Sequence, residues 1–187
     1  MDGNLANNDK TAQFEALALP HLDAAYNLAR WLTRNEQDAE DLVQTAYLRA
    51  FRFVDGFRGG DARAWLMTIV RHTYYTALRD SRSERADVCF DEDVHSDCDG
   101  HAAGSNPAHG MGDDPACILE RRDSGKCVNE ALASLPRAFR EVLVMKEMED
   151  LSYRQIAQIA DIPIGTVMSR LARARKLLAA CLQPAGE

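Results

Sequence analysis

The chain is predicted to be all-α: two small helical domains joined by a long, flexible acidic linker, the C-terminal domain containing a helix-turn-helix. Three observations carry this prediction. Apolar residues recur at steps of three and four on both sides of the middle of the chain, and no alternating strand pattern competes with them. Residues 83–124 lose that periodicity and fill instead with Asp, Gly, Ser, His and Pro. Finally, Leu151–Leu178, LSYRQIAQIADIPIGTVMSRLARARKLL, carries the start and turn signals of two successive helices, the second one basic.

In chain order, the first eleven residues are polar and expected to fray. From Phe14 the positions Leu17, Ala18, His21/Leu22, Ala25, Leu28/Ala29 and Leu32 form an amphipathic stripe, and Pro20 should kink it or divide it into two helices. Asn35 is a candidate cap for a second helical pattern through Leu42, Val43, Ala46, Ala50, Phe51 and Val54, which ends at Gly56. The glycine-rich loop DGFRGGD follows. Asp61 can cap a third helix containing Trp65, Leu66, Ile69, Val70, Thr73 and Ala77. These elements make up a first domain over residues 12–82.

The net charge of −7 is unpromising for a nucleic-acid binder, but it is unevenly distributed. Residues 83–124 hold eleven Asp or Glu against three Arg, a balance of −8 that leaves +1 for everything else. The acidity belongs to the linker, and nucleic-acid binding by the two domains stays open. The linker's composition is too poor in apolar groups to offset the entropy of ordering, so it reads as mostly disordered.

The second domain spans residues 125–183. Val128, Ala131, Leu132 and Leu135 form a short stripe, and Pro136 opens a helix with Phe139, Val142, Leu143 and Met145. Ser152 with Gln155 is a capping box. Ile156, Ala157 and Ile159/Ala160 face inward, Asp161 tolerates a left-handed turn, and Pro163 has the backbone angle of a helix start. Along the last helix Val167, Leu171, Ala174 and Leu178 form the buried stripe, leaving Arg170, Arg173, Arg175 and Lys176 outside. A short helix, a tight turn and a cationic helix place the second helix in a DNA major groove; the alternative is a helical hairpin with a solvated basic face.

Two faces of the first domain are chemically distinctive. Asp38, Asp41, Gln44 and Leu48 in DAEDLVQTAYLRAF make a mixed acidic and apolar face, suited to a basic partner helix and equally readable as a solvated surface. The third helix interleaves Arg71, His72, Tyr74, Tyr75, Arg79 and Arg82 beside Phe57 and Arg58 in the preceding loop. Cations for phosphates and rings for unstacked bases suit single-stranded nucleic acid; an ordinary amphipathic helix with inward tyrosines is the alternative.

Two blocks, DAEDLVQTAYLRAF…FRGGDARAWLMTIVRH and LPRAFREVLVMKEMEDLSYRQIAQIADIPIGTVMSRLARARKLL, make the chain resemble the extracytoplasmic-function sigma factors of the sigma-70 family, bacterial subunits that give RNA polymerase its promoter choice. The second block is the more specific. The resemblance implies core RNA polymerase, promoter DNA and an anti-sigma factor as partners, with no catalytic residue, cofactor or metal. It implies that Asp38, Asp41, Leu42, Gln44 and Leu48 grip the clamp helices of the polymerase's largest subunit. Phe57 and His72 would line a pocket for a flipped −10 base, with Arg71, Arg79 and Arg82 on backbone phosphates. Lys146, Gly165, Thr166, Met168, Ser169, Arg170 and Arg173 would meet the −35 element, where an arginine bidentate to guanine adds roughly 1–3 kcal/mol of discrimination. The chain departs from the family pattern at His72, where many relatives carry Asn. It departs again at Met168, usually Lys or Arg, and in a loop about one residue shorter.

Other readings have less behind them. A free-standing helix-turn-helix regulator would explain the C-terminal block alone. The cysteines and histidines Cys89, His95, Cys98, His101, His109, Cys117 and Cys127 could bind a metal or sense oxidants, but their spacing does not match the paired short loops of structural zinc sites. The resemblance offers instead an anionic tether that threads a cationic channel of the polymerase. No P-loop, nucleophile elbow or HExxH motif supports an enzyme. No apolar run reaches bilayer length and no leader pattern is present, so a cytoplasmic protein with reduced thiols is expected.

Overall fold

Helix α1 (Gly3–Ala18) runs into a 3-10 turn at Leu19–His21, where Pro20 breaks the ladder, and α2 (Leu22–Thr33) follows. Then come α3 (Glu36–Phe53), a 3-10 turn at Val54–Gly56, and α4 (Ala62–Ala86). Past the linker lie α5 over residues 126–134, α6 (Arg137–Glu147), α7 (Tyr153–Ala160) and α8 (Ile164–Leu182). This computed structural model describes residues 3–86 and 126–182, with side chains in the first stretch only for 9–81. Among the described residues every regular element is helical.

Local chemistry sets the boundaries. The Asn35 side chain accepts the Asp38 amide at 3.2 Å and starts α3. Asp61 accepts the Ala64 amide at 3.0 Å and starts α4. Arg34 closes α2 in the left-handed conformation, φ 62°, with its amide on the Arg30 carbonyl. Helix α4 continues past Ser83 to Ala86 because no Gly or Pro interrupts that stretch. The start of the chain departs from expectation: residues 3–11 are helical, not frayed. Lys10 explains the anchoring, since it pairs with Asp55 and lies 5.5 Å from the centroid of the Phe51 ring.

In the first domain α2, α3 and α4 pack on one another and α1 lies across α3 and α4. Leu28, Leu66, Met67 and Val70 are fully buried there, while Leu22 is exposed. In the second domain α6 and α7 pack on α8 around Leu135, Met145, Leu151, Ile156, Ile159 and Leu171. The domains also touch: α4 packs against α7, and α2 against α6. Helix α6 is consequently covered on all sides, with Arg140 to Met145 buried without a break. A continuous apolar run such as Val142–Met145 suits a helix of that kind.

Candidate nucleic-acid interface

The helix-turn-helix is assembled from local contacts. The Gln155 side-chain oxygen Oε1 accepts the Ser152 backbone amide at 2.7 Å, and the Ser152 hydroxyl accepts the Gln155 backbone amide at 3.3 Å, completing the capping box. Asp161 turns the chain at φ 52°. The Pro163 carbonyl then accepts the amides of Thr166 and Val167 and launches α8. Val167, Leu171 and Ala174 seal the inner face of that helix, with Leu178 packed partly against them.

The outer face of α8 gathers most of the residues expected to meet DNA. Gly165, Met168, Ser169 and Arg173 are exposed, and Thr166 and Arg170 are half-buried. A methyl group at Gly165 would meet nothing within 4 Å, so the fold itself does not require glycine there. The Ser169 hydroxyl donates to the Thr166 carbonyl at 3.0 Å. Arg170 and Arg173 form no ion pair among the described residues, whereas Arg175 is gripped by Glu147 at 2.7 and 3.1 Å. Lys146 stands at the end of α6, 3.2 Å from Asp150 and 5.9 Å from the Tyr153 ring centroid.

In the first domain α3 presents Asp38, Asp41, Gln44 and Leu48 to solvent, Leu48 being 64 % exposed. Leu42 departs from that face: it is 7 % exposed and packs into the core with Val43 and Ala46. Phe57 is half-buried and leans on Trp65, ring centroids 5.2 Å apart. His72 and Arg79 are exposed on α4, and Arg82 lies on the same helix beyond the residues whose side chains are described. The linker residues Cys89, His95, Cys98, His101, His109 and Cys117 lie outside the described residues; Cys127 is an exposed free thiol.

Arg71 is in a different situation from its neighbours. Its Nε donates to Glu141 Oε1 at 2.6 Å, and the Tyr75 hydroxyl donates to the other oxygen of the same carboxylate, also at 2.6 Å. Glu141 is 2 % exposed, on α6 of the other domain. Burial first, and then the Glu141 charge, push the Tyr75 phenol above its ordinary range, so it stays a donor. A second carboxylate acts alike: Glu149, 6 % exposed, accepts from Asn27 of α2 at 2.6 Å and pairs with Arg63 of α4. Gln155 of α7 donates to Asp61. The residues that fasten the domains, Glu141 and Glu149 above all, do not stand out in the sequence. The Val142–Met145 run is the available signal, because a helix buried on every side must also bury its charged members.

Comparison with known proteins gives a consistent result. The Sigma-70 region 2 family model matches residues 17–84, and the model for Sigma-70, region 4 matches residues 125–178. The ECF RNA polymerase sigma-E factor of Haemophilus influenzae is 30% identical over 160 residues, 84% of this chain and 80% of that protein. The ECF RNA polymerase sigma factor SigE of Mycolicibacterium smegmatis is 31% identical over 175 residues; the match covers 92% of this chain and only 63% of the relative. Among solved structures, the sigma factor RpoE of Bartonella quintana, in complex with the anti-sigma factor NepR, aligns with a TM-score of 0.69. It is 29% identical, and the alignment covers 92% of this chain and 98% of that one. No helix among the described residues is long and apolar enough to cross a membrane.

Proposed function

The chain belongs to the extracytoplasmic-function sigma factors of the sigma-70 family, and from that premise we propose that it directs core RNA polymerase to a specific set of promoters in a signal or stress response. The observation that carries this reading is the outer face of α8, where Arg170 and Arg173 lie beside the exposed Gly165, Met168 and Ser169 on a helix seated by a capped turn. Such a surface offers phosphates two unpaired guanidiniums and offers base edges a shallow, backbone-accessible start.

Residues 125–183 form the −35 reader in this proposal, with Lys146, Gly165, Thr166, Met168, Ser169, Arg170 and Arg173 at the DNA. Residues 12–82 dock on polymerase through Asp38, Asp41, Gln44 and Leu48, with Leu42 supporting that helix from beneath. Phe57 and His72 receive an unstacked −10 base, while Arg79 and Arg82 steady the strand. Arg71 can join them only after leaving Glu141, so promoter reading requires the domains to separate. The acidic residues that follow the end of α4 at Ala86, up to 124, then serve as the tether between them, within the cytoplasm. An anti-sigma factor that keeps the domains together is the natural antagonist; the RpoE relative in complex with NepR supports that expectation.

Run-off transcription with core polymerase on a randomised promoter library tests the proposal. It should yield transcripts only when both polymerase and this chain are present, and the selected promoters would report the −35 and −10 sequences together. Absence of any dependent transcript, with no binding to core polymerase, would overturn it. So would protection of a double-stranded operator by the chain without polymerase.

A further inference from the structure

The loop that carries Phe57 is thinly packed. Arg58, Gly59 and Gly60 are exposed, and a methyl group added at either glycine would meet nothing within 4 Å. Both glycines hold positive φ values, 85° and 111°. A glycine pair in open space does not fix the backbone around it. The direction of Phe57 is therefore set by what holds the two ends of the loop.

Each end is held by a side chain from another helix. At the far end Asp61 caps α4 and accepts from Gln155 of α7. At the near end Asp55 lies in the 3-10 turn Val54–Gly56 and pairs with Lys10 of α1. The Phe57 amide donates to the Val54 carbonyl at 3.0 Å, so the turn that contains Asp55 passes its orientation directly to Phe57. Lys10 is itself seated before it meets Asp55. Its side chain is 24 % exposed, and its ammonium lies 5.5 Å from the centroid of the Phe51 ring. That ring packs edge-on against Phe14 of α1, with centroids 5.3 Å apart. Asp55 is 65 % exposed, so the pair adds little to stability; its effect is on where the loop points.

We propose that Lys10 is a positioning residue for −10 reading: from α1 it holds Asp55, and through Asp55 it holds the turn that aims Phe57. This rests on the role given to Phe57 above. Lys10 lies outside residues 17–84, the segment matched by the region 2 family model, so the part of α1 before that segment has a task of its own. Lys10 does not touch the base. Loss of its charge lets Phe57 leave Trp65 and take several directions, and a wrong −10 base is then accepted more readily. The polymerase-docking face of α3 is unaffected.

Two measurements on the full chain test this. The first needs no polymerase: in a Trp31→Phe background Trp65 is the only tryptophan, and Phe57 covers it with ring centroids 5.2 Å apart. Acrylamide should quench Trp65 more strongly in Lys10→Gln and in Asp55→Asn. The double variant should be no worse than either single one, and Lys10→Arg should match the natural residue. The second is run-off transcription by the holoenzyme from two promoters that differ only in the flipped −10 base. The ratio of transcripts should fall roughly threefold in Lys10→Gln, about what a partly shielded ion pair is worth, and recover in Lys10→Arg. Circular dichroism should show every variant folded; Lys10→Met, which keeps the aliphatic stem, replaces Lys10→Gln if that variant is not. Unchanged quenching overturns the brace whatever the chain does at promoters. Altered quenching with an unchanged transcript ratio overturns the role in −10 reading. A natural chain that drives no transcription at all would overturn the functional reading instead, and the quenching result would still decide the brace.

Discussion

The carboxylate of Asp61 accepts the side-chain amide of Gln155 across the domain boundary, and each of the two residues is also part of a helix cap. Asp61 starts α4 through the Ala64 amide, while Gln155 closes the capping box of α7 through Ser152. The start of the helix that carries His72 is thus linked to the start of the helix-turn-helix. Loss of either side chain costs its own helix a cap and also costs the domains a contact.

Asp61→Ala should therefore destabilise the protein by about 1 kcal/mol for the cap, with a further increment from the lost contact. Urea unfolding of Asp61→Ala, Gln155→Ala and the double variant should give a coupling energy above about 0.5 kcal/mol. The amide of Ala64 and the Gln155 side chain hold the Asp61 pKa below its ordinary value. A depressed carboxylate stabilises the fold when ionised, so its contribution is full at neutral pH and lost as pH falls through the lowered folded pKa. Stability curves of Asp61→Asn and the natural chain should converge at the acid end; curves separated by a constant amount would refute the charge-based account.

Glu141→Gln leaves the Arg71 guanidinium, only 15 % exposed, without its counter-charge. Breaking a shielded pair from one side costs about 3 kcal/mol. Part of that cost is relieved when the domains part, so small-angle scattering should show a larger radius of gyration for this variant. Unchanged dimensions and unchanged stability would mean that Glu141 does not fasten the domains.

Leu42 and Leu48 lie on one helix and should answer differently to the same change. Leu42→Ala empties a core position and should cost about 2–4 kcal/mol, with lowered thermal stability. Leu48→Ala alters a residue that is 64 % exposed and should leave stability within about 0.5 kcal/mol. It should weaken binding to core polymerase measured by fluorescence anisotropy. Equal polymerase affinity for Leu48→Ala and the natural chain would remove Leu48 from the docking face.

Met168 is 50 % exposed between Arg170 and the first turn of α8. Met168→Arg should tighten promoter binding by the holoenzyme without changing the melting temperature. If the new guanidinium meets a phosphate, the slope of log affinity against log salt steepens by about 0.9. Tighter binding to one promoter only, at an unchanged slope, would indicate a base contact instead.

What the sequence discloses follows the reach of its interactions. Asn35, Asp61, Ser152 with Gln155, and Asp161 are legible because each acts on backbone within a few residues of itself. The family resemblance groups Leu42 with Leu48 on the docking face, although Leu42 continues the core stripe through Ala46 and Ala50 while Leu48 falls outside it. Glu141 and Arg140 are not legible: the partners of Glu141, Arg71 and Tyr75, lie across the linker, and only tertiary packing turns either of these ordinary surface charges into a buried one. The helical start of the chain is hidden for a related reason: Lys10 is fixed by Asp55 and Phe51, far along the sequence.

The bond from Arg71 to Glu141 makes the protein its own competitor. A carboxylate on the same chain presents itself at an effective concentration in the millimolar range, more than stray nucleic acid supplies to that guanidinium. A single passing backbone group therefore loses the exchange. In the role proposed for Arg71 at the promoter strand, a partner that draws on both domains together would be needed to displace Glu141, and this one contact would act as a filter against casual encounters with DNA.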